Sequence, residues 1–119
     1  MKVEFFREKG IIQYTIDGKV EEGALIELLS IQKTLPREGN FSILAVVPNF
    51  SGYQSLNAIL LAIQADLGWI GRAKKYALVS DLGALKTFIS VLGKLVPSMK
   101  VRVYSFAQED ESRKWLEED

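Results

Sequence analysis

Polar groups that could do chemistry in this chain sit at a few points, each following an apolar run: Asn49 and Ser51, the pair Ser80-Asp81, and Ser105. Hydroxyl, carboxyl and carboxamide groups in such places can cap a helix, carry a phosphate or hold a polar group of a ligand. What is missing narrows the chemistry further. The chain has no histidine and no cysteine, which removes disulfides, thiol nucleophiles, His-based triads and zinc sites of the usual ligand set. A general base has to be Asp, Glu, Lys or Tyr, and a metal would need carboxylates alone. No spacing points to a metal or a cofactor, and the chain reads as non-enzymatic.

The elements that hold these groups can be read from hydropathy. Phe41-Ser42-Ile43-Leu44-Ala45-Val46-Val47 is apolar on both faces, as in strands of a parallel sheet covered on two sides. Pro48 lacks a donor and is expected to close that strand. Ser51-Gly52-Tyr53-Gln54 then fits an S-x-x-Q capping box, with Ser51 at the head of a helix. Leu56, Ile59, Leu60, Ile63, Leu67 and Ile70 fall on one helical stripe, the expected core face. Ala58, Ala62, Ala65 and Trp69, with Leu61 beside them, form a second stripe. It is either further core or a smooth surface for a second subunit or a lipid chain. Ser80 and Asp81 read most simply as another helix cap. Arg72, Lys74 and Lys75 complement a helix dipole or, with Trp69, make a basic patch for lipid headgroups.

The rest of the chain supplies a regular frame. Val3 to Phe6 and Ile11 to Ile16 are strand-like and joined by a short turn ending in Gly10, a hairpin signal. Glu21 and Glu22 open a helix that runs to about Leu35 and stops at Pro36 and Gly39. Lys75-Tyr76-Ala77-Leu78-Val79 is a short strand. Leu85, Phe88, Ile89, Leu92 and Val96 mark a third helix that ends before Pro97. Lys100-Val101-Arg102-Val103-Tyr104 alternates in polarity and suits an edge. Gln108-Glu109-Asp110-Glu111 opens a last helix anchored by Trp115 and Leu116. The order ββαβαβαβα predicts one α/β domain over residues 1–119, with a mostly parallel five-stranded sheet and right-handed crossovers. If strands add on one side, all helices share one face and the other needs a cover.

Composition agrees with an ordinary globular domain, with 48% hydrophobic and 25% charged residues. Fifteen basic and fifteen acidic side chains cancel, which argues against a nucleic-acid footprint. No secretion signal opens the chain, and its longest apolar stretch, residues 58–63, is too short to span a bilayer, so the cytoplasm is expected.

Element order and three local signatures resemble the SpoIIAA-like family of the STAS-domain superfamily across essentially the whole chain. The signatures are Asn49-Phe50-Ser51-Gly52-Tyr53, Ala77-Leu78-Val79-Ser80-Asp81, and Glu111 followed by Trp115-Leu116. The resemblance implies a right-handed β/α superhelix, related in fold to anti-sigma-factor antagonists and more loosely to CRAL-TRIO carriers of nonpolar ligands. Antagonists carry D-S-S/T-G in the turn before the second helix and are phosphorylated on its second hydroxyl residue. Ser51 takes that position and Gly52 the glycine, while Asn49 replaces the acid and Phe50 the first hydroxyl residue. The resulting expectation is a regulatory or protein-interaction module, homodimeric through Ala58, Leu61, Ala62, Ala65 and Trp69, with Asn49, Ser51 and Gly52 as the regulatory loop. The alternative is a carrier of a nonpolar small molecule or lipid. Its pocket would lie between the sheet and the helices at 51–70 and 82–96, with Ser80, Asp81 and Ser105 at the rim.

Overall fold

A tight hairpin starts the sheet. Strand β1 (Lys2–Phe6) pairs antiparallel with β2 (Ile11–Val20), from Lys2↔Thr15 to Phe6↔Ile11. Gly10 closes the turn at φ 64°, a left-handed backbone that costs glycine nothing because it has no Cβ. The chain then runs through α1 (Glu22–Thr34), β3 (Ser42–Tyr53), α2 (Leu56–Trp69), β4 (Lys75–Val79), β5 (Lys100–Tyr104) and α3 (Glu109–Glu117). The structure is a computed structural model and describes residues 1–35, 41–69, 72–83, 87, 94 and 99–118. Gly83, Thr87 and Lys94 are helical. The stripe expected on Leu85, Phe88, Ile89, Leu92 and Val96 lies outside the described residues, as do Pro36, Gly39, Ile70 and Pro97.

The five strands stand in sequence order, β1-β2-β3-β4-β5, and every pair after the hairpin is parallel. This is the expected α/β architecture. β3 is central, and residues 42–47 are buried on both sides. β5 is an edge strand, as its alternating polarity predicts. The end of β3 is not as expected. Pro48 does not close the strand; β3 continues to Tyr53 and pairs Asn49 with Asp17, Phe50 with Gly18 and Tyr53 with Val20. A register shift between Thr15 and Asp17 leaves Pro48 opposite no ladder partner, so its missing N–H is not needed there.

Alternating residues of β3 build two cores. Ile43, Ala45 and Val47 face α1 and α2 together with Ile12, Tyr14, Leu28, Ala65, Trp69 and Leu78. Leu44 and Val46 face the other way, against Ile11, Ala77, Val79, Tyr104, Trp115 and Leu116. Thus α3 covers the second face, and the expectation of all helices on one face is corrected. The physical reason is that α3 follows the last strand. It leads to no further parallel strand, so the right-handed crossover rule does not bind it.

Candidate functional site

The polar positions expected at the carboxyl ends of the strands do not converge on one centre. Asn49 and Ser51 are exposed on the continuation of β3, and Gly52 between Ser51 and Tyr53 adopts φ 98°, which glycine suits. Ser80 is fully buried. Its hydroxyl donates to the Val47 carbonyl at 2.8 Å and accepts the Leu82 N–H at 3.2 Å, while its own N–H reaches the Tyr104 carbonyl at 3.0 Å. It is a clasp across β3, β4 and β5, not a rim donor. Asp81 is exposed beside it. Ser105 forms a reciprocal capping box with Gln108 at the 3₁₀ turn Phe106–Gln108.

The expected capping box at Ser51 and Gln54 is corrected too. Ser55 caps α2, its hydroxyl accepting the Ala58 N–H at 3.0 Å and donating to the Glu22 carboxylate at 2.7 Å. That donation holds the Glu22 carboxyl below its usual range. Gln54 caps the other helix, its side-chain oxygen accepting the Glu22 N–H at 2.9 Å. The two helix starts are therefore tied to each other. Because β3 runs on to Tyr53, Ser51 stays on the strand, upstream of the cap.

Helix α2 is turned the opposite way from the prediction. Ala58, Ala65 and Trp69 are buried in the chain's own core, and Leu61 and Ala62 are half-buried. Leu56, Ile59, Leu60, Ile63 and Leu67 are exposed. At its C-terminal end the inward side lies so close to α1 that a Cβ built at Gly68 would collide with the Gln32 side chain. Gln32 itself is buried and donates to the Ala65 carbonyl at 2.8 Å. Trp69 closes the inward side edge-on against Phe41, with ring centroids 5.5 Å apart.

Of the basic cluster, Lys74 is exposed, while Arg72 and Lys75 are engaged within the chain. Arg72 donates from Nη2 to the Gln32 and Leu35 carbonyls, each at 3.0 Å, at the end of α1. Lys75 is buried, and its Nζ donates to the Trp115 and Glu118 carbonyls at 2.7 and 2.8 Å, at the end of α3. Both cations donate to carbonyls at the C-terminal ends of neighbouring helices, the Gln32 and Trp115 carbonyls also accepting the Leu35 and Glu118 N–H groups.

Beneath α2 lies a cavity of about 260 Å³, which the spacing of polar residues did not reveal. Its walls come from α1 (Leu25, Leu28), the inner side of α2 (Ala62, Ala65) and the sheet (Ala45, Val47, Leu78). The pocket thus lies between the sheet, α1 and α2; of the described residues, α1 takes the place expected for the helix at 82–96. Its polar groups are few. Tyr14 and Tyr76 are buried, share a hydrogen bond between hydroxyls and meet edge-on with ring centroids 6.4 Å apart. Burial pushes both phenols well above their usual range, so both stay neutral. Tyr53 and Asp66 mark the mouth, and burial also raises the Tyr53 phenol.

Asp66 is exposed as a residue, yet protein crowding desolvates its carboxyl and lifts its pKa from an ordinary 3.8 to about 6. A carboxyl that holds its proton more tightly when folded adds stability below its unfolded value. That gain is lost as pH rises through about 6. Asp66→Asn is therefore expected to raise stability at pH 8 and not at pH 4. Open access to water keeps the gain to about 1 kcal/mol or less. Urea denaturation at the two pH values checks this, and an equal effect at both contradicts it.

No protein of curated function matches the chain. A solved structure similar to it is an uncharacterized protein with a SpoIIAA-like fold from Shewanella loihica PV-4, at 14% identity and a TM-score of 0.72, covering 97% of this chain and 90% of that one. At that identity the likeness bears on fold alone. The SpoIIAA-like family profile matches residues 11–117, a span from β2 through α3, and the chain belongs to the SpoIIAA-like family.

Proposed function

We propose that the protein is a non-enzymatic regulatory and interaction module of the cytoplasm, which pairs with a second copy of itself through the outer side of α2. The observation that carries this reading is the exposure of four large aliphatic side chains on that side: Leu56 at 74%, Leu60 at 58%, Ile63 at 51% and Leu67 at 63%. A contiguous apolar surface of this kind marks an interaction site more often than a solvated face. The only charged residue in α2 is Asp66. An uncharged stripe running the length of a helix complements itself under a two-fold axis, with the Leu56 end of one copy against the Leu67 end of the other. Family membership supports the regulatory part of the reading, with the exposed segment 49–52 as the surface that partner proteins recognise.

The pairing is tested by sedimentation velocity over a concentration series. The wild type is expected to be dimeric, and Leu60→Glu with Ile63→Glu monomeric, with circular dichroism and melting temperature unchanged. A wild type that stays monomeric at the highest concentration overturns the proposal. These outer positions are a better choice than Ala62, which is half-buried and lines the cavity.

A further inference from the structure

We infer that a second cavity, polar and set at the amino ends of β3 and β4, is a binding site for a small monocarboxylate, which the Lys75 ammonium and the Ser42 hydroxyl hold at its floor. It lies on the sheet face that α3 covers. The inference is therefore independent of the pairing surface on α2, a helix that packs on the other face.

Strand register puts the two groups together. Ile43 stands opposite Tyr76, so Ser42 and Lys75, one residue earlier on each parallel strand, are neighbours. Side chains alternate along a strand, and both therefore point to the side of Leu44 and Ala77, toward α3. The hairpin turn at Glu8, Lys9 and Gly10 closes one flank, and Leu116, Glu117 and Glu118 at the end of α3 close the other. The Lys9–Glu117 ion pair, at 3.0 Å, ties the two flanks. The space between them is about 300 Å³. A cavity of about 150 Å³ accepts benzene, so a molecule of roughly ten non-hydrogen atoms fits.

Both floor groups have hydrogen-bonding capacity to spare. Lys75 is 7% exposed. Its ammonium has three N–H donors, and two of them go to the Trp115 and Glu118 carbonyls. The Trp115 ring lies 5.1 Å from Nζ. Carbonyl dipoles and a ring face solvate a cation but bring it no negative charge, and no carboxylate among the described residues pairs with it. Buried charges are ordinarily paired. Ser42 is 4% exposed, and its hydroxyl has no hydrogen-bond partner among the described residues. One carboxylate oxygen can accept from Nζ and the other from the hydroxyl, so a single planar group answers both. The charge count favours one negative charge over two. With Lys9 and Glu117 paired to each other, Lys74 and Lys75 are balanced by Glu8 and Glu118. A monoanion matches the one buried cation, whereas a phosphate dianion sets a second charge against the carboxylates of the rim.

The test follows the backbone amides of the full chain by heteronuclear NMR at pH 7.5 and constant ionic strength. The probes are sodium lactate, neutral lactamide of the same shape, and inorganic phosphate. Lactate is expected to bind saturably with Kd on the order of 1 mM, moving the Gly10, Ser42 and Lys75 amides together. Lactamide and phosphate are expected to bind at least tenfold more weakly. Ser42→Ala removes one donor and little volume, and is expected to weaken lactate binding about tenfold. Lys75→Met is expected to abolish it. Leu60→Glu with Ile63→Glu, on the other face of the sheet, is expected to leave it intact, and loss of binding there overturns the inference. So does the absence of saturable lactate binding, or lactamide or phosphate binding as tightly as lactate. Lactate affinity unchanged in Ser42→Ala overturns it too, a result that decides the matter even where Lys75→Met perturbs folding.

Discussion

Trp115→Ala is expected to destabilise the protein by about 3–5 kcal/mol, a large part of the roughly 5–15 kcal/mol that holds a typical domain together. Trp115 is buried on the sheet face that α3 covers, beside Leu44, Val46, Ala77 and Val79. Its ring also takes a cation on either account: the Lys75 ammonium at 5.1 Å and the Arg102 guanidinium at 4.9 Å from the centroid. Tyr104 packs next to it at a centroid distance of 6.3 Å. Alanine leaves a void in that layer and removes the contact that anchors α3. Urea denaturation measures the loss as a lower midpoint. Trp115→Phe keeps most of the buried area and should lose less than half as much. A change below about 1 kcal/mol in the alanine variant would show that α3 is not needed to cover this face.

The second large effect is expected at Lys75. It is a buried cation whose hydrogen-bond partners among the described residues are two carbonyls at the end of α3. Lys75→Met keeps the length and the apolar stem but removes a charged donor from those carbonyls, at a cost of about 1.5–3 kcal/mol. Lys75→Arg should recover part of it, since a guanidinium also donates there but does not fit the same space. Because Lys75 and Trp115 touch, the losses from Lys75→Met and Trp115→Ala should add to less than their sum in the double variant. Strict additivity would mean that Lys75 acts on something other than α3.

The strands were readable because burial leaves a mark on composition. Residues 43–47 are apolar without a break and lie in the fully covered part of β3. Lys75–Val79 and Lys100–Tyr104 match the predicted bounds. Where the reading failed, chain-local rules met a tertiary contact. A proline and a Ser-x-x-Gln pattern between residues 48 and 54 look like a strand end and a helix cap. Pairing with the far half of β2 carries the strand past both. In α2 the difficulty was ambiguity, because almost every position is apolar and periodicity alone does not say which side is inside. In the fold Ala58, Ala65 and Trp69 face the interior, with Gly68 close against Gln32, and the leucines lie outside.

A pocket between the sheet and the helix at 51–70 was expected, but the residues that line it were not legible, for a related reason. Tyr14, Tyr76 and Asp66 lie on three separate elements, and each looks ordinary within its own segment. Only the sheet register brings Tyr14 opposite Ala45, and Ile43, two residues earlier, opposite Tyr76. Arg72 and Lys75 show the same thing, since the carbonyls they bind are 37 to 43 residues away in the chain.

The sheet grows in the order in which the chain leaves a ribosome, each strand finding its neighbour already made. Its far side is different: Leu44, Val46, Ala77 and Val79 wait bare until residues 109–117 arrive. During synthesis, and whenever α3 peels away, that side is a sticky apolar plate. Protein quality control then has a fixed place to look, and variants that loosen the last helix are the ones most prone to aggregate.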